Sequence, residues 1–167
     1  MRIYWINTFE KGNLGMMARP KGNDWLEDEI RKLGFLGINT VVSLLEKHEE
    51  IELEIEKEDN LCQKYDIEFV SFPIRDRGVP EEIEPFLRLI SKIDRRLRDD
   101  KKVAIHCRMG IGRTSLVAAG ILMKSGYKPD GIFEFLSEKR TLDVPDTDEQ
   151  AQWIKEQQNV LQQKEET

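Results

Sequence analysis

Cysteine and histidine are scarce in this chain, with two of each in 167 residues. Cys62 and Cys107 cannot supply a disulfide framework for a domain of this size, so both read as reduced thiols of a cytoplasmic protein. His48 lies in a charged run without a second His, a Cys or a carboxylate pair at ligand spacing, and no metal site is expected. Long apolar runs are missing too, and no window reaches the length of a transmembrane helix. The opening residues MRIYWINTFEKGN turn polar early, which predicts that no signal peptide is present. Excess positive charge is absent: 26 basic residues face 32 acidic ones, a formal charge of -6. Nucleic-acid and anionic-membrane binders concentrate cationic charge, so neither class fits, although a small positive pocket does. Without internal repeats or Gly/Ser linkers, one domain over 1–167 is expected, with a frayed tail after about 163.

What is present is a regular alternation of elements. Arg2–Phe9 and Leu14–Ala18 read as a β-hairpin across Lys11-Gly12-Asn13. Asn23 or Asp24 is placed to cap a helix through Trp25, Leu26, Ile30 and Leu33 that stops near Gly34. INTVVSLLE (38–46) is apolar on both faces, as a buried central strand would be. HEEIELEIEKEDNLCQKYD alternates at Ile51, Leu53 and Ile55, but its density of Glu and Lys predicts helix, with EKEDN as a solvated face. IEFVSFPI (67–74) is a strand. A helix from about Glu81 to Arg98 then presents Phe86, Leu87, Ile90, Ile93 and Leu97 on one face.

KKVAIHC is the next strand, followed by a helix through Leu116 to Met123 that stops at Gly126. Pro129 opens another helix, and TDEQAQWIKEQQNVLQQ forms the last. The spacing of Trp5, Trp25, Trp153, Phe133 and Phe135 fits core packing. Together these predict an α/β fold: a central, mostly parallel sheet of about five strands flanked by helices.

The stretch VAIHCRMGIGRTS (103–115) carries the chemistry. Five residues, Arg108, Met109, Gly110, Ile111 and Gly112, separate Cys107 from Arg113, and Thr114 follows. A strand, a five-residue turn and a helix start can converge their backbone N–H groups on a tetrahedral oxyanion. Arg113 would close that ring with a bidentate guanidinium. Such a field favours a thiolate at Cys107, placed for in-line attack on phosphorus. A cysteine buried for packing alone is the competing reading; the combined spacing weighs against it. No Gly-Lys-Ser/Thr follows the glycines, which excludes a nucleotide P-loop.

HCRMGIGRTS resembles the His-Cys-x5-Arg-Ser/Thr signature of the cysteine-dependent protein tyrosine and dual-specificity phosphatases. The resemblance extends from LGMMARP through the C-terminal helices, and the compact dual-specificity group fits best because no tyrosine-recognition loop is apparent. Asp76, in FPIRDRGVP, follows a strand in a loop stiffened by Pro73 and Pro80 and hinged at Gly78. Its position agrees with the family's general acid, against the reading of a turn-forming Asp. Arg75 and Arg77 either bind substrate or keep the loop soluble. By resemblance, Thr114 eases departure of the sulfur, although a helix-start Thr is also a cap. His106 is read as a residue that fixes the loop rather than a proton shuttle. Gln150 resembles the glutamine that orients hydrolytic water in some tyrosine phosphatases, and a plain helix polar residue is the other reading. By resemblance to parts of the superfamily, Cys62 would form a protective disulfide with Cys107 under oxidation, against the reading of two separate thiols.

The expected activity is hydrolysis of phosphotyrosine, and of phosphoserine or phosphothreonine, in a phosphorylated protein substrate, through a cysteinyl-phosphate. No cofactor, nucleic acid or membrane is implied, and a monomer is expected. The alternatives are a phosphoinositide or RNA 5′-phosphatase of the same superfamily, a silent phosphate-binding module, and a sulfur-transfer or arsenate-reducing enzyme.

Overall fold

The computed structural model describes residues 1–163; the tail expected to fray lies outside the described residues. In chain order the elements are β1 (Tyr4–Trp5), β2 (Asn13–Ala18), α1 (Leu26–Phe35), β3 (Thr40–Ser43), α2 (Lys47–Glu52), α3 (Glu58–Lys64) and β4 (Glu68–Ser71). There follow α4 (Ile83–Arg98), β5 (Lys102–Cys107), α5 (Gly112–Lys124), α6 (Ile132–Arg140), α7 (Asp148–Glu156) and α8 (Gln158–Leu161). The strands form one sheet in the order β1-β2-β5-β3-β4, with β1 antiparallel to β2 and the other neighbours parallel. The expected five-stranded, mostly parallel α/β architecture is therefore present.

Side chains alternate across the sheet, and this alternation divides the core in two. Leu14, Met16, Val42, Val103, Ile105 and Cys107 face one side, under α4 to α8. Met17, Val41 and Ala104 face the other, where Leu26, Ile30 and Leu33 of α1 and Cys62 of α3 cover them. β5 lies between β2 and β3, so the chain reverses its strand order there, and the carboxyl ends of Ala18, Cys107 and Ser43 meet along one edge. Open α/β sheets bind ligands in the crevice at such a reversal.

α5 runs behind this edge and is buried along nearly its whole length. Gly120 lets α4 approach it: a β-carbon there would meet Phe86 at 3.0 Å. Phe86 itself is fully buried and stacks edge-on against Trp153, with ring centroids 5.0 Å apart.

Several boundaries differ from expectation, each for a local reason. The first hairpin strand shrinks to two residues. α1 is preceded by a 3-10 turn at Asn23–Trp25, and neither Asn23 nor Asp24 caps it through a side chain. It runs past Gly34 to Phe35, because the left-handed residue that ends it is Gly37, with φ +76°. The Glu-rich segment is helical but broken into α2 and α3, since Glu54 turns left-handed at φ 55°. EKEDN is not simply a solvated face: Glu58 is buried. α6 starts at Ile132, after a left-handed Gly131, rather than at Pro129. The last helix is split at Gln157. Trp25 is not a core residue; it stands 64% exposed, with the Lys21 ammonium over its ring.

Candidate active site

Cys107 ends β5, and its side chain points to the α5 side of the sheet by the alternation just described. The loop from Arg108 to Ile111 leads directly into α5 at Gly112. Gly110 makes the turn possible, because its φ is +67° and a β-carbon there would lie 2.3 Å from the Met17 carbonyl. Among the described residues, the N–H groups of Met109, Gly110 and Ile111 donate to no protein acceptor. The positive end of α5 adds to the same region.

Thr114, fully buried in the first turn of α5, donates its hydroxyl to Cys107 Sγ at 3.1 Å. Arg113, one residue earlier, is 2% exposed and reaches forward across the edge of the sheet. Its Nη1 donates to Glu49 Oε2 at 2.7 Å and to the Ile74 carbonyl at 2.9 Å, and Nη2 donates to Glu49 Oε1 at 2.9 Å. Nη2 also donates to Asp76 Oδ1 at 3.2 Å. Nε carries no bond among the described residues. Cys107 with Thr114 and Arg113 with Asp76 are thus two bonded pairs, brought together from β5, α5 and the loop after β4 because Arg113 and Thr114 are consecutive in α5.

Burial works against the charge on both members of the Arg113–Glu49 pair, and their mutual hydrogen bonds overcome it. The Glu49 carboxyl is held below the usual glutamate range, and the Arg113 guanidinium is held above its own, with the Cys107 sulfur also contributing.

Asp76 is 57% exposed, in a turn closed by the Gly78 N–H on the Arg75 carbonyl at 2.8 Å. The left-handed residue of this loop is Arg77, at φ 58°, rather than the expected hinge Gly78. Arg75 and Arg77 are exposed.

The remaining expected residues fall into other places. His106 faces the opposite side of the sheet from Cys107, where Nε2 meets Glu58 Oε1 at 2.8 Å; both side chains are buried. Nδ1 lies 3.3 Å from the Cys107 carbonyl, so this pair anchors the base of the loop from behind. Arg108 turns aside to Glu52 at 3.0 Å and to Glu49 at 3.5 Å. Met109 is 58% exposed at the tip.

Gln150 is fully buried, with Nε2 donating to the Gly78 carbonyl at 3.0 Å and Oε1 accepting from Asp146 N–H at 3.2 Å. Both ends of its amide are therefore engaged by protein. Cys62 packs in the core on the far side of the sheet from Cys107, and burial, with Glu58 and Asp59, pushes its thiol up out of the reactive range. His48 is exposed. Among the described residues no cluster of three or more His, Cys, Asp or Glu side chains could hold a metal. No helix among them is long and apolar enough to cross a membrane. The groove of about 470 Å³ lined by Phe9, Asp94, Arg98 and Tyr127 opens by Lys11, at the other end of the sheet from Cys107.

Sequence reading missed Glu49, Glu58 and Arg140. The first two lay in Glu-rich runs that carry no signal of burial. Arg140, at the end of α6, donates to the carbonyls of Gly110 and Met109.

This sheet, with a cysteine, a helix-start arginine and a hydroxyl gathered at its carboxyl edge, is the architecture of the cysteine-dependent tyrosine and dual-specificity phosphatases. Residues 15–127 match the family model Tc-R-P, described as "Polymorphic toxin system, DSP-PTPase phosphatase", and the chain belongs to that family. It is 44% identical over 57 residues to 197R of Invertebrate iridescent virus 6, which carries the name of a tyrosine phosphatase; the match covers 32% of this chain and 21% of that protein. Among solved structures, kinase associated phosphatase with its catalytic-site cysteine replaced by serine superposes with a TM-score of 0.88, at 22% identity over 96% of both chains. Tk-PTP in its active form superposes with a TM-score of 0.75, at 26% identity over 94% of this chain and 96% of that one.

Proposed function

We propose that the chain hydrolyses phosphate monoesters on proteins, phosphotyrosine foremost and phosphoserine or phosphothreonine with it, through a cysteinyl-phosphate. In the first step Cys107 Sγ forms a bond to phosphorus while the ester P–O bond breaks, and Asp76 gives its proton to the departing oxygen. In the second, Asp76 takes a proton from water as the water oxygen bonds to phosphorus and the P–S bond breaks. Thr114 stabilises the leaving sulfur by its hydrogen bond. The loop amides and Arg113 hold the phosphoryl oxygens as charge moves between them.

The observation that carries this reading is a pair of contacts on consecutive residues of α5: Thr114 Oγ1 to Cys107 Sγ at 3.1 Å, and Arg113 Nη2 to Asp76 Oδ1 at 3.2 Å. A hydroxyl for the sulfur and an acid beside the anion-binding arginine are what two-step phosphoryl transfer needs. A silent binding module would need neither. Arg108, the further cation of the loop, is already spent on Glu52 and Glu49, which favours a single phosphoryl group over a polyphosphorylated lipid or RNA end.

The test is hydrolysis of p-nitrophenyl phosphate in EDTA by wild type and Cys107→Ser, with acid quench during turnover and mass mapping of the phosphoryl group. Turnover lost in the variant and phosphate mapped to Cys107 are expected; phosphate on another side chain would overturn the mechanism. A phosphopeptide panel run beside phosphoinositides then decides the substrate class.

A further inference from the structure

Arg140 closes α6, beyond the residues that the family model matches, and its side chain is 6% exposed. Nε donates to the Gly110 carbonyl at 2.9 Å and Nη2 to the Met109 carbonyl at 2.8 Å. The guanidinium carbon lies 4.1 Å from the ring centroid of Tyr4, so β1 backs it from the other side. A buried cation is thus aimed, by a planar fork, at two successive carbonyls of the loop that follows Cys107. The two-step chemistry above makes no use of it.

Peptide geometry gives it a consequence. In a trans peptide the C=O and the following N–H point in opposite directions across one rigid plane. The Met109 carbonyl shares its plane with Gly110 N–H, and the Gly110 carbonyl shares its plane with Ile111 N–H. Holding both carbonyls towards Arg140 turns both N–H groups the other way, and these donate to no protein acceptor among the described residues. The planes would otherwise be free to turn, because they meet at Gly110, whose φ of +67° and missing side chain make flipping inexpensive. A flipped plane would present a carbonyl oxygen where an anion needs a donor.

We propose that Arg140 is a positioning residue that locks the Gly110 and Ile111 amides as donors to the phosphoryl oxygens. It acts through the loop and touches no reacting atom. The proposal rests on the phosphatase reading of the site. Lysine is not its equivalent, since one ammonium lacks the two separate, rigidly spaced nitrogens that reach the two carbonyls and the flat face that lies over Tyr4.

Two measurements test it: calorimetric binding of orthovanadate, which requires no turnover, and kcat and KM on p-nitrophenyl phosphate, for wild type, Arg140→Met and Arg140→Lys. Misplaced amides should weaken vanadate binding and lower kcat/KM by about tenfold to a hundredfold in Arg140→Met. Arg140→Lys should fall between it and wild type. Thermal unfolding accompanies each variant. A lowered midpoint with unchanged vanadate affinity would assign Arg140 a purely structural role and overturn the proposal. If Arg140→Met does not fold, Arg140→Lys decides: wild-type vanadate affinity and kcat/KM there would overturn it. Wild type that fails to bind vanadate at all would remove the phosphatase reading itself, and this inference with it.

Discussion

Glu49 grips both terminal nitrogens of Arg113, at 2.7 and 2.9 Å, and both side chains are 2% exposed. The arginine is thereby held in one orientation, with Nε and one Nη2 hydrogen turned away from Glu49. Asp76 lies on that side and shares Nη2. On the mechanism proposed above, an incoming phosphoryl group would compete with Asp76 for Nη2, and substrate entry would free that carboxyl from its cationic partner.

Removing Glu49 should damage stability and catalysis together. Breaking a buried ion pair from one side costs about 3–5 kcal/mol, because the remaining charge stays uncompensated. Glu49→Ala should lower the thermal midpoint and raise KM for p-nitrophenyl phosphate. Thermal unfolding and steady-state kinetics measure both, and wild-type behaviour in either would show that Arg113 needs no such anchor.

Asp76→Asn should lose activity in proportion to how badly the leaving group needs a proton. General acid catalysis contributes about 10²- to 10⁴-fold. The loss should be large with phenyl phosphate and smaller with p-nitrophenyl phosphate, whose leaving group departs readily as an anion. A uniform loss across a series of aryl phosphates would move the acid to another residue.

Stability should fall in acid through identifiable carboxylates. Glu68 is held down to about 2 from an ordinary 4.5, first by its hydrogen bond from Arg96 and then by Lys92. Glu49 is likewise depressed. A lowered folded-state value means that the unfolded chain takes up protons first as pH drops. The contribution of Glu68 is therefore complete above about 4.5 and vanishes as pH falls through about 2. Urea unfolding of wild type and Glu68→Gln across this window should show a stability difference that closes on acidification. A constant difference would mean that folding does not lower the Glu68 carboxyl.

Gln150→Ala discriminates between two roles for this residue. Its amide is engaged by the Gly78 carbonyl and the Asp146 N–H, so it ties the Asp76 loop to the start of α7. Loosening that loop should slow both chemical steps, leaving no build-up of phosphoenzyme in a rapid-quench experiment. Accumulated phosphoenzyme, with formation unimpaired, would instead mark Gln150 as a residue that orients hydrolytic water.

The loop from Cys107 to Thr114 was legible because its constraints are local. A strand run, two glycines and a helix start within a dozen residues leave few ways to arrange the backbone. Asp76 was also legible, through the strand before it and the prolines around it. Glu49 and Glu58 were not. Each lies among other glutamates, and only the packing of α2 and α3 against the carboxyl edge of the sheet turns one inward and leaves its neighbours in water. His106 was expected to fix the loop, yet the glutamate it meets could not be named, because that depends on which helix covers the far face of β5.

The order of residues by itself determined the alternation of strands and helices, and with it the side of the sheet each residue of β5 faces. It also determined the spacing between sulfur and guanidinium, since covalent geometry and period-two side-chain direction act over a few residues. Only the tertiary structure decided which charges face one another: Arg113 with Glu49, His106 with Glu58, Arg140 with the carbonyls of Met109 and Gly110. These pairs lie 30 to 64 residues apart. Their meeting depends on how α2, α3 and α6 pack around the sheet, a consequence of apolar burial that leaves no mark on the polar residues it brings together.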